Sequence, residues 1–181
     1  MNKKKWFYRI KKAVQKSHHP EPPEKGFYQQ TSVIALFSFT KILTLLFIQK
    51  ADVPGYAWAN QMAFPGGHKD EKDDSTLHTT FRELKEETAI PRNDIELIGT
   101  LGHFQTINNK DIEAFTGIWN KNGSINYDTN EISRVFHIPF EHLVKTHKEK
   151  GFHKDTPNIM QLTYPFEDVL IWGVTARILY H

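Results

Sequence analysis

Trp6, Phe7, Ile10 and Val14 recur at helical spacing between lysines, so residues 3–16 predict an amphipathic helix. Pro20, Pro22 and Pro23 stop it and make 19–25 a stiff linker. Two β-rich runs follow at 32–39 and 41–49, joined too tightly for anything but a hairpin. The stretch 51–62 has Pro54, Gly55 and mixed polarity and predicts a loop entering a short strand at 63–64. A second helix is expected over 74–88, closed by Pro91, because proline disfavours helix at the residue before it. Strands at 95–104 and 112–119 flank the polar turn Asn108-Asn109-Lys110, and a turn-rich connection over 120–130 leads to a strand at 132–138. Pro139 breaks that strand, 141–148 reads as a short helix, and a last helix over 168–180 places Val169, Trp172, Ala176 and Leu179 on one face. Strands dominate the middle and helices punctuate it. The order predicts an α/β (α+β) sandwich, a central mixed β-sheet flanked by helices.

With 181 residues and 24% charged side chains the chain suits one folded domain, and its composition excludes disordered, collagen-like and coiled-coil classes. No cysteine is present, which removes disulfides, thiolate zinc sites and cysteine nucleophiles and makes a reducing cytoplasm the natural location. The ten histidines never fall at zinc-ligand spacing. Charge is uneven: the first 17 residues hold seven Lys and Arg and no acid, so the net +2 leaves −5 on the remainder. A basic opening suits a nucleic-acid or membrane contact or a transit peptide. A solvated helix face explains it more simply, and neither partner is expected. The most apolar stretch, 32–48, is interrupted by Ser38, Thr40, Lys41 and Thr44 and is shorter than the ~20 residues of a membrane span. The expected division is therefore 1–25, a basic helix with its Pro-rich linker, and 26–181, one catalytic or binding domain.

The informative segment is Phe64-Pro65-Gly66-Gly67, then Asp70, Asp73 and Asp74, then Arg82-Glu83-Leu84-Lys85-Glu86-Glu87. On a helix, Glu83, Glu86 and Glu87 share about a 100° arc, apart from a stripe of Leu77, Thr80, Phe81, Leu84 and Thr88. Like charges so spaced oppose the helix unless neutralised, and a hard divalent cation with oxygen ligands does this. Arg82, one turn before Glu86, is placed to orient it by an ion pair. Gly66 and Gly67 let the backbone approach a metal or a phosphate. Each piece alone reads as a solvated helix face or a plain turn. Their joint spacing is what points to chemistry.

That spacing resembles the Nudix box, GX5EX7REUXEEXGU with U a bulky aliphatic residue, through Gly67, Arg82, Glu83, Leu84, Glu86, Glu87 and Ile90. More narrowly, 61–67 with Asp70, Asp73 and Arg82-Glu83, together with Ile171-Trp172-Gly173-Val174-Thr175-Ala176, is similar to the coenzyme A pyrophosphatase branch. The glycine-to-arginine spacing is one residue longer than in the general box, Ala89 replaces its last glycine, and Asp73 or Asp74 its first glutamate. The branch's upstream arginines are also missing, which leaves Lys50, Arg92 or Arg134 as substitutes.

The resemblance implies a metal-dependent hydrolase that cleaves the diphosphate of coenzyme A or acyl-coenzyme A to 3′,5′-ADP and phosphopantetheine. Alternatives are another nucleoside diphosphate derivative (ADP-ribose, a dinucleotide, a nucleoside triphosphate) or a non-catalytic nucleotide-binding module. The intact Arg-Glu-x-x-Glu-Glu argues against the last. Magnesium or manganese would be held by Glu83, Glu86, Glu87 and carbonyls around Gly67. The general base would be Glu86 or Glu131, with Arg82 in support. Lys50, Trp58, Gly66, Gly67 and Asp70 are the expected substrate contacts. Trp58, Phe104 or Phe115 offers a ring for adenine, with core packing the simpler role for either phenylalanine. The expected partner is a small nucleotide, and a homodimer is left open.

Overall fold

The computed structural model describes residues 3–24, 26–39, 41–55, 58–120, 123–155 and 157–181. Met1 and Asn2 of the basic opening, Lys25 of the expected linker, Tyr56 and Ala57 of the expected loop, and Lys121 and Asn122 of the expected turn lie outside them. The elements in order are α1 (Lys3–Lys16), β1 (Gln29–Phe39), β2 (Leu43–Lys50), β3 (Met62–Ala63), β4 (Gly66–His68), α2 (Thr76–Thr88), β5 (Ile95–Gln105), β6 (Lys110–Trp119), β7 (Ile132–Pro139), α3 (Phe140–Glu149), β8 (Tyr164–Phe166), β9 (Val169–Ile171) and α4 (Gly173–Tyr180). Among the described residues no helix is long and apolar enough to cross a membrane.

β1 to β7 form one mixed sheet in the order β3-β2-β1-β6-β5, with β4 beside β1 and β7 beside β2. The expected hairpin between β1 and β2 exists, but only over three residue pairs, Phe37 with Leu45 to Phe39 with Leu43. Beyond these the strands part. β4 takes over the edge of β1, setting Thr31 opposite His68 and Val33 opposite Gly66, while β3 takes over the edge of β2 at Ile48 and Gln49. On its other side β1 runs parallel to β6 from Gln29–Lys110 to Ser38–Trp119. The sheet is therefore split on the side of β3 and β4, and the site occupies the split.

Strand alternation feeds two cores. Ile34, Leu36 and Leu46 join Leu84 of α2, with Ile90 and Phe115, on one face. Ala35, Phe37, Leu45 and Phe47 point to the other, where Ile10 of α1, Leu143 of α3 and Ile178 of α4 cover them. The lysines of α1 other than the half-buried Lys3 are exposed, while its apolar side docks: Trp6 meets Phe140 edge-on at 6.0 Å. Two expectations shift. Gly66 and Gly67 of the expected Pro-Gly-Gly turn belong to strand β4, where they pair with β1, and Pro65 stays a bend before it. The last helix starts at Gly173, not at 168, because Tyr164–Phe166 and Val169–Ile171 close a hairpin through Glu167 at φ 50°.

The ends of α2 are well defined. The Ser75 side chain accepts the His78 N–H, and Ala89 closes the helix in the left-handed region at φ 58° with its N–H on the Lys85 carbonyl. Position 89 thus has the backbone that favours glycine, and its methyl is exposed. Ala89→Gly is expected to raise stability by about 0.5–1 kcal/mol in urea denaturation, the relief of left-handed strain exceeding the added chain entropy. A loss would contradict the cap geometry.

Candidate active site

Glu87 spans the split in the sheet. Its side chain is 2% exposed, Oε1 accepts from the Lys50 ammonium and Oε2 accepts the Gly66 N–H at 2.8 Å. Burial pushes its carboxyl up, against the pull of Lys50 and of that N–H. Only glycine fits at 66, where φ is +147° and a Cβ would fall 2.1 Å from the Ser32 carbonyl oxygen. At Gly67 a Cβ would stand 2.4–2.6 Å from the carboxyl atoms of Glu83. The second glycine is what lets that carboxylate lie flat on β4.

Arg82 spends all five of its N–H groups on the protein. Nε and Nη2 hold the two oxygens of Asp73 at 3.0 and 2.8 Å, Nη2 also reaches the His68 carbonyl at 3.1 Å, and Nη1 donates to Glu83 at 2.8 Å and Glu86 at 3.0 Å. Asp73 is buried and further accepts the Asp70 N–H at 3.0 Å and the Thr79 hydroxyl at 2.9 Å. The Arg82 hydrogen bonds hold its carboxyl far below the usual range, against burial that pushes it up. Asp73, not the exposed Asp74, is thus the acid locked into the arginine. Burial raises Glu83, opposed by Arg82.

A cavity of about 520 Å³ opens beside this network, within the usual size of a small-molecule site. Glu83 and Glu87 line it together with Met62 and Phe64 from the sheet and Val174 and Ile178 of α4. Its cations are Lys50 and Lys110, with the imidazole of His68 between β4 and Lys110. His68 is held below its ordinary value by burial and then by Lys110 and Lys50, and burial lowers Lys110 too.

Of the residues singled out from sequence, Lys50, Trp58, Gly66, Gly67, Glu83, Glu87 and Glu131 meet at this cavity. Others differ from expectation. Glu86 has a side chain 59% exposed, bonds Arg82 and is not part of the lining. The three glutamates do not gather around one point, since Glu87 turns to Lys50, and among the described residues no group of three His, Asp or Glu is placed to hold a metal. Arg82 makes the ion pair to Glu86 that the helical spacing suggested, at 3.0 Å, and all five of its N–H groups have partners within the protein. Asp70 is exposed and accepts the Lys72 N–H outside the cavity. Arg92 lies 4.2 Å over the Phe81 ring and Arg134 grips Asp168 with both terminal nitrogens, so neither lines the cavity. Phe104 and Phe115 are buried core residues. Glu131 is exposed at the rim, its carbonyl accepting the Ala51 N–H. Sequence reasoning missed Lys110 and His68, which come together only through sheet pairing.

Several known proteins share this architecture. Residues 28–167 match the NUDIX domain family. The uncharacterized Nudix hydrolase NudL of Escherichia fergusonii is 31% identical over 124 residues, which are 67% of this chain and 64% of that protein, and NudL of Escherichia coli matches equally. The match thus spans slightly less than two thirds of these relatives. Among solved structures, Deinococcus radiodurans DR0079 superposes with a TM-score of 0.57 at 13% identity, covering 87% of this chain and 85% of that one. The NUDIX domain of Shewanella oneidensis NrtR, complexed with ADP ribose, gives 0.53 at 19% identity, covering 80% and 88%. Likeness at such low identity speaks for the fold alone. The family match over most of the chain, on a sheet whose split receives the Arg-Glu-x-x-Glu-Glu helix, shows that the chain belongs to the Nudix family.

Proposed function

We propose that the protein hydrolyses the diphosphate of coenzyme A or an acyl-coenzyme A, releasing 3′,5′-ADP and a phosphopantetheine. The observation that carries this reading is the two-sided character of the cavity. The buried Glu87 and half-buried Glu83 share one part of it with Lys50 and Lys110, and Met62, Phe64, Val174 and Ile178 give the rest an apolar wall. A diphosphate with one polar nucleotide arm and one long, largely apolar arm suits such a space better than ADP-ribose, which is polar at both ends. Val174 also belongs to the Ile-Trp-Gly-Val-Thr-Ala segment whose resemblance points to the same substrate.

The donors proposed for a divalent cation are the carboxylates of Glu83 and Glu86 with the carbonyls around Gly67, since no cluster of three acidic or His side chains is placed for it among the described residues. Glu83 and Glu86 converge on a single nitrogen of Arg82, so their carboxylates are already neighbours. All candidate ligands are oxygens, as magnesium or manganese requires. When bound, the metal supplies charge neutralisation at the diphosphate and activation of water. The chain's own residues do the rest. Arg82 fixes the rotamers of Glu83 and Glu86, Gly67 leaves room for Glu83, and Lys50 keeps Glu87 against β4. Glu86 on the helix or Glu131 on the rim is the acceptor for the proton of the attacking water.

The test is a panel of coenzyme A, ADP-ribose, diadenosine polyphosphate and nucleoside triphosphate, each with magnesium, with manganese and with chelator, followed by product analysis. Coenzyme A should be the best substrate and chelation should abolish its cleavage. Faster hydrolysis of ADP-ribose would remove the coenzyme A reading, and turnover in chelator would remove the metal.

A further inference from the structure

Lys110 opens β6 and has an unusual environment for a cavity lysine. Its ammonium sits 3.6 Å from the centre of the Trp58 ring and donates to His68 Nε2. An ammonium can only donate, so this nitrogen of His68 carries its lone pair and the imidazole is neutral. Among the described residues no carboxylate pairs with Lys110. The cation is thus half-buried, supported by a ring face and a neutral imidazole, with its charge unanswered. Two strand pairings create this: Gln29 is set beside Lys110 and Thr31 opposite His68, so β1 brings β4 and β6 to one place.

The other cations on which substrate recognition could rest are already engaged. Lys50 is bonded to Glu87, Arg82 to Asp73, Glu83, Glu86 and the His68 carbonyl, and Arg134 to Asp168. Arg92 donates to the Ile95 carbonyl at 2.9 Å. Among the described residues, Lys110 is the cation of the cavity that has no carboxylate partner. A cation held on a ring face gives up only a weak attraction when an anion arrives and gains a charge-assisted hydrogen bond.

We propose that Lys110, backed by His68 and Trp58, binds the phosphomonoester on the ribose of the substrate, the phosphate that is not cleaved; this rests on the coenzyme A reading above. The scissile diphosphate belongs to the pole where Glu83, Glu87 and Lys50 meet. The doubly charged monoester is the group that answers the remaining charge.

The test compares coenzyme A with its form lacking the 3′-phosphate, on wild type and on Lys110→Met, which keeps the side-chain length against Trp58 and removes the charge. Thermal melts check that the variant is folded, and Lys110→Arg serves as the conservative control. Wild type should prefer coenzyme A by about tenfold or more in kcat/KM, as one charge-assisted contact gives. That ratio should fall towards one in Lys110→Met and be largely kept in Lys110→Arg. Calorimetric titration with 3′,5′-ADP and with 5′-AMP should show the same preference and the same loss. A ratio unchanged in Lys110→Met overturns the proposal, as does an equal fall for both substrates, which would put Lys110 on the scissile diphosphate. If wild type cleaves no coenzyme A yet prefers 3′,5′-ADP through Lys110, the substrate reading falls and the phosphomonoester site stands.

Discussion

Glu86→Gln is expected to lower kcat on the preferred substrate by about 10²–10⁴-fold while changing stability by about 0.5 kcal/mol or less. The two halves have separate physical causes. The Glu86 side chain is 59% exposed, and its ion pair is a single contact from Arg82 Nη1 at 3.0 Å. An exposed pair of this i, i+4 type is worth a few tenths of a kcal/mol. Arg82 also keeps its four other hydrogen bonds when Glu86 becomes neutral. The fold therefore has little to lose, and the site loses either a metal-binding charge or its base. Glu87→Gln makes the instructive contrast. There the carboxylate is buried and answers Lys50 and the Gly66 N–H, so activity and stability should fall together. Steady-state kinetics beside urea denaturation separates the two variants. Near-wild-type turnover in Glu86→Gln would remove Glu86 from the reaction.

How far the sequence reveals this site depends on how local each relation is. The Arg-Glu-x-x-Glu-Glu face is legible because helical periodicity fixes neighbours three and four residues apart, and α2 runs over Thr76–Thr88 much as the pattern predicts. The division of Glu87 from Glu86 is not legible. Both lie on one helical arc, yet β4 packs beside only one side of it and draws Glu87 inward to Gly66. Pro-Gly-Gly carries a turn signature, yet its two glycines enter a strand because β1, left without β2 below Phe37, needs a partner on that edge. Lys110 and His68 are 42 residues apart and meet through one parallel and one antiparallel pairing to β1, for which no window of sequence holds a signal. The hairpin Tyr164–Ile171 escapes notice for a different reason. Three-residue strands are too short to show alternation, and the following helical pattern runs back over them.

The largest loss of stability is expected at Arg82. Arg82→Leu would leave the Asp73 carboxylate, its side chain 1% exposed, with the Asp70 N–H, the Thr79 hydroxyl and, at 3.8 Å, His78 Nδ1. Removing one partner of a buried ion pair costs about 3–5 kcal/mol, because the other charge stays desolvated. In a chain of this size that is a fall of about 6–20 °C in melting temperature. Asp73→Asn should cost less, about 1–3 kcal/mol, since Arg82 keeps Glu83, Glu86 and the His68 carbonyl and still reaches water. The double variant Arg82→Leu with Asp73→Asn should be more stable than the sum of the two losses predicts, as neither charge is then buried alone. Acid gives an independent check with a definite sign. The folded Asp73 carboxyl is held well below its unfolded value, so its stabilisation is complete above about pH 5, where the unfolded chain is also ionised, and shrinks as pH falls further. The stability gap between wild type and Asp73→Asn should therefore be constant from neutral pH down to about pH 5 and close progressively below pH 4. A gap that stays open at low pH would mean that Asp73 contributes by packing, and that the Arg82 network does not depend on its charge.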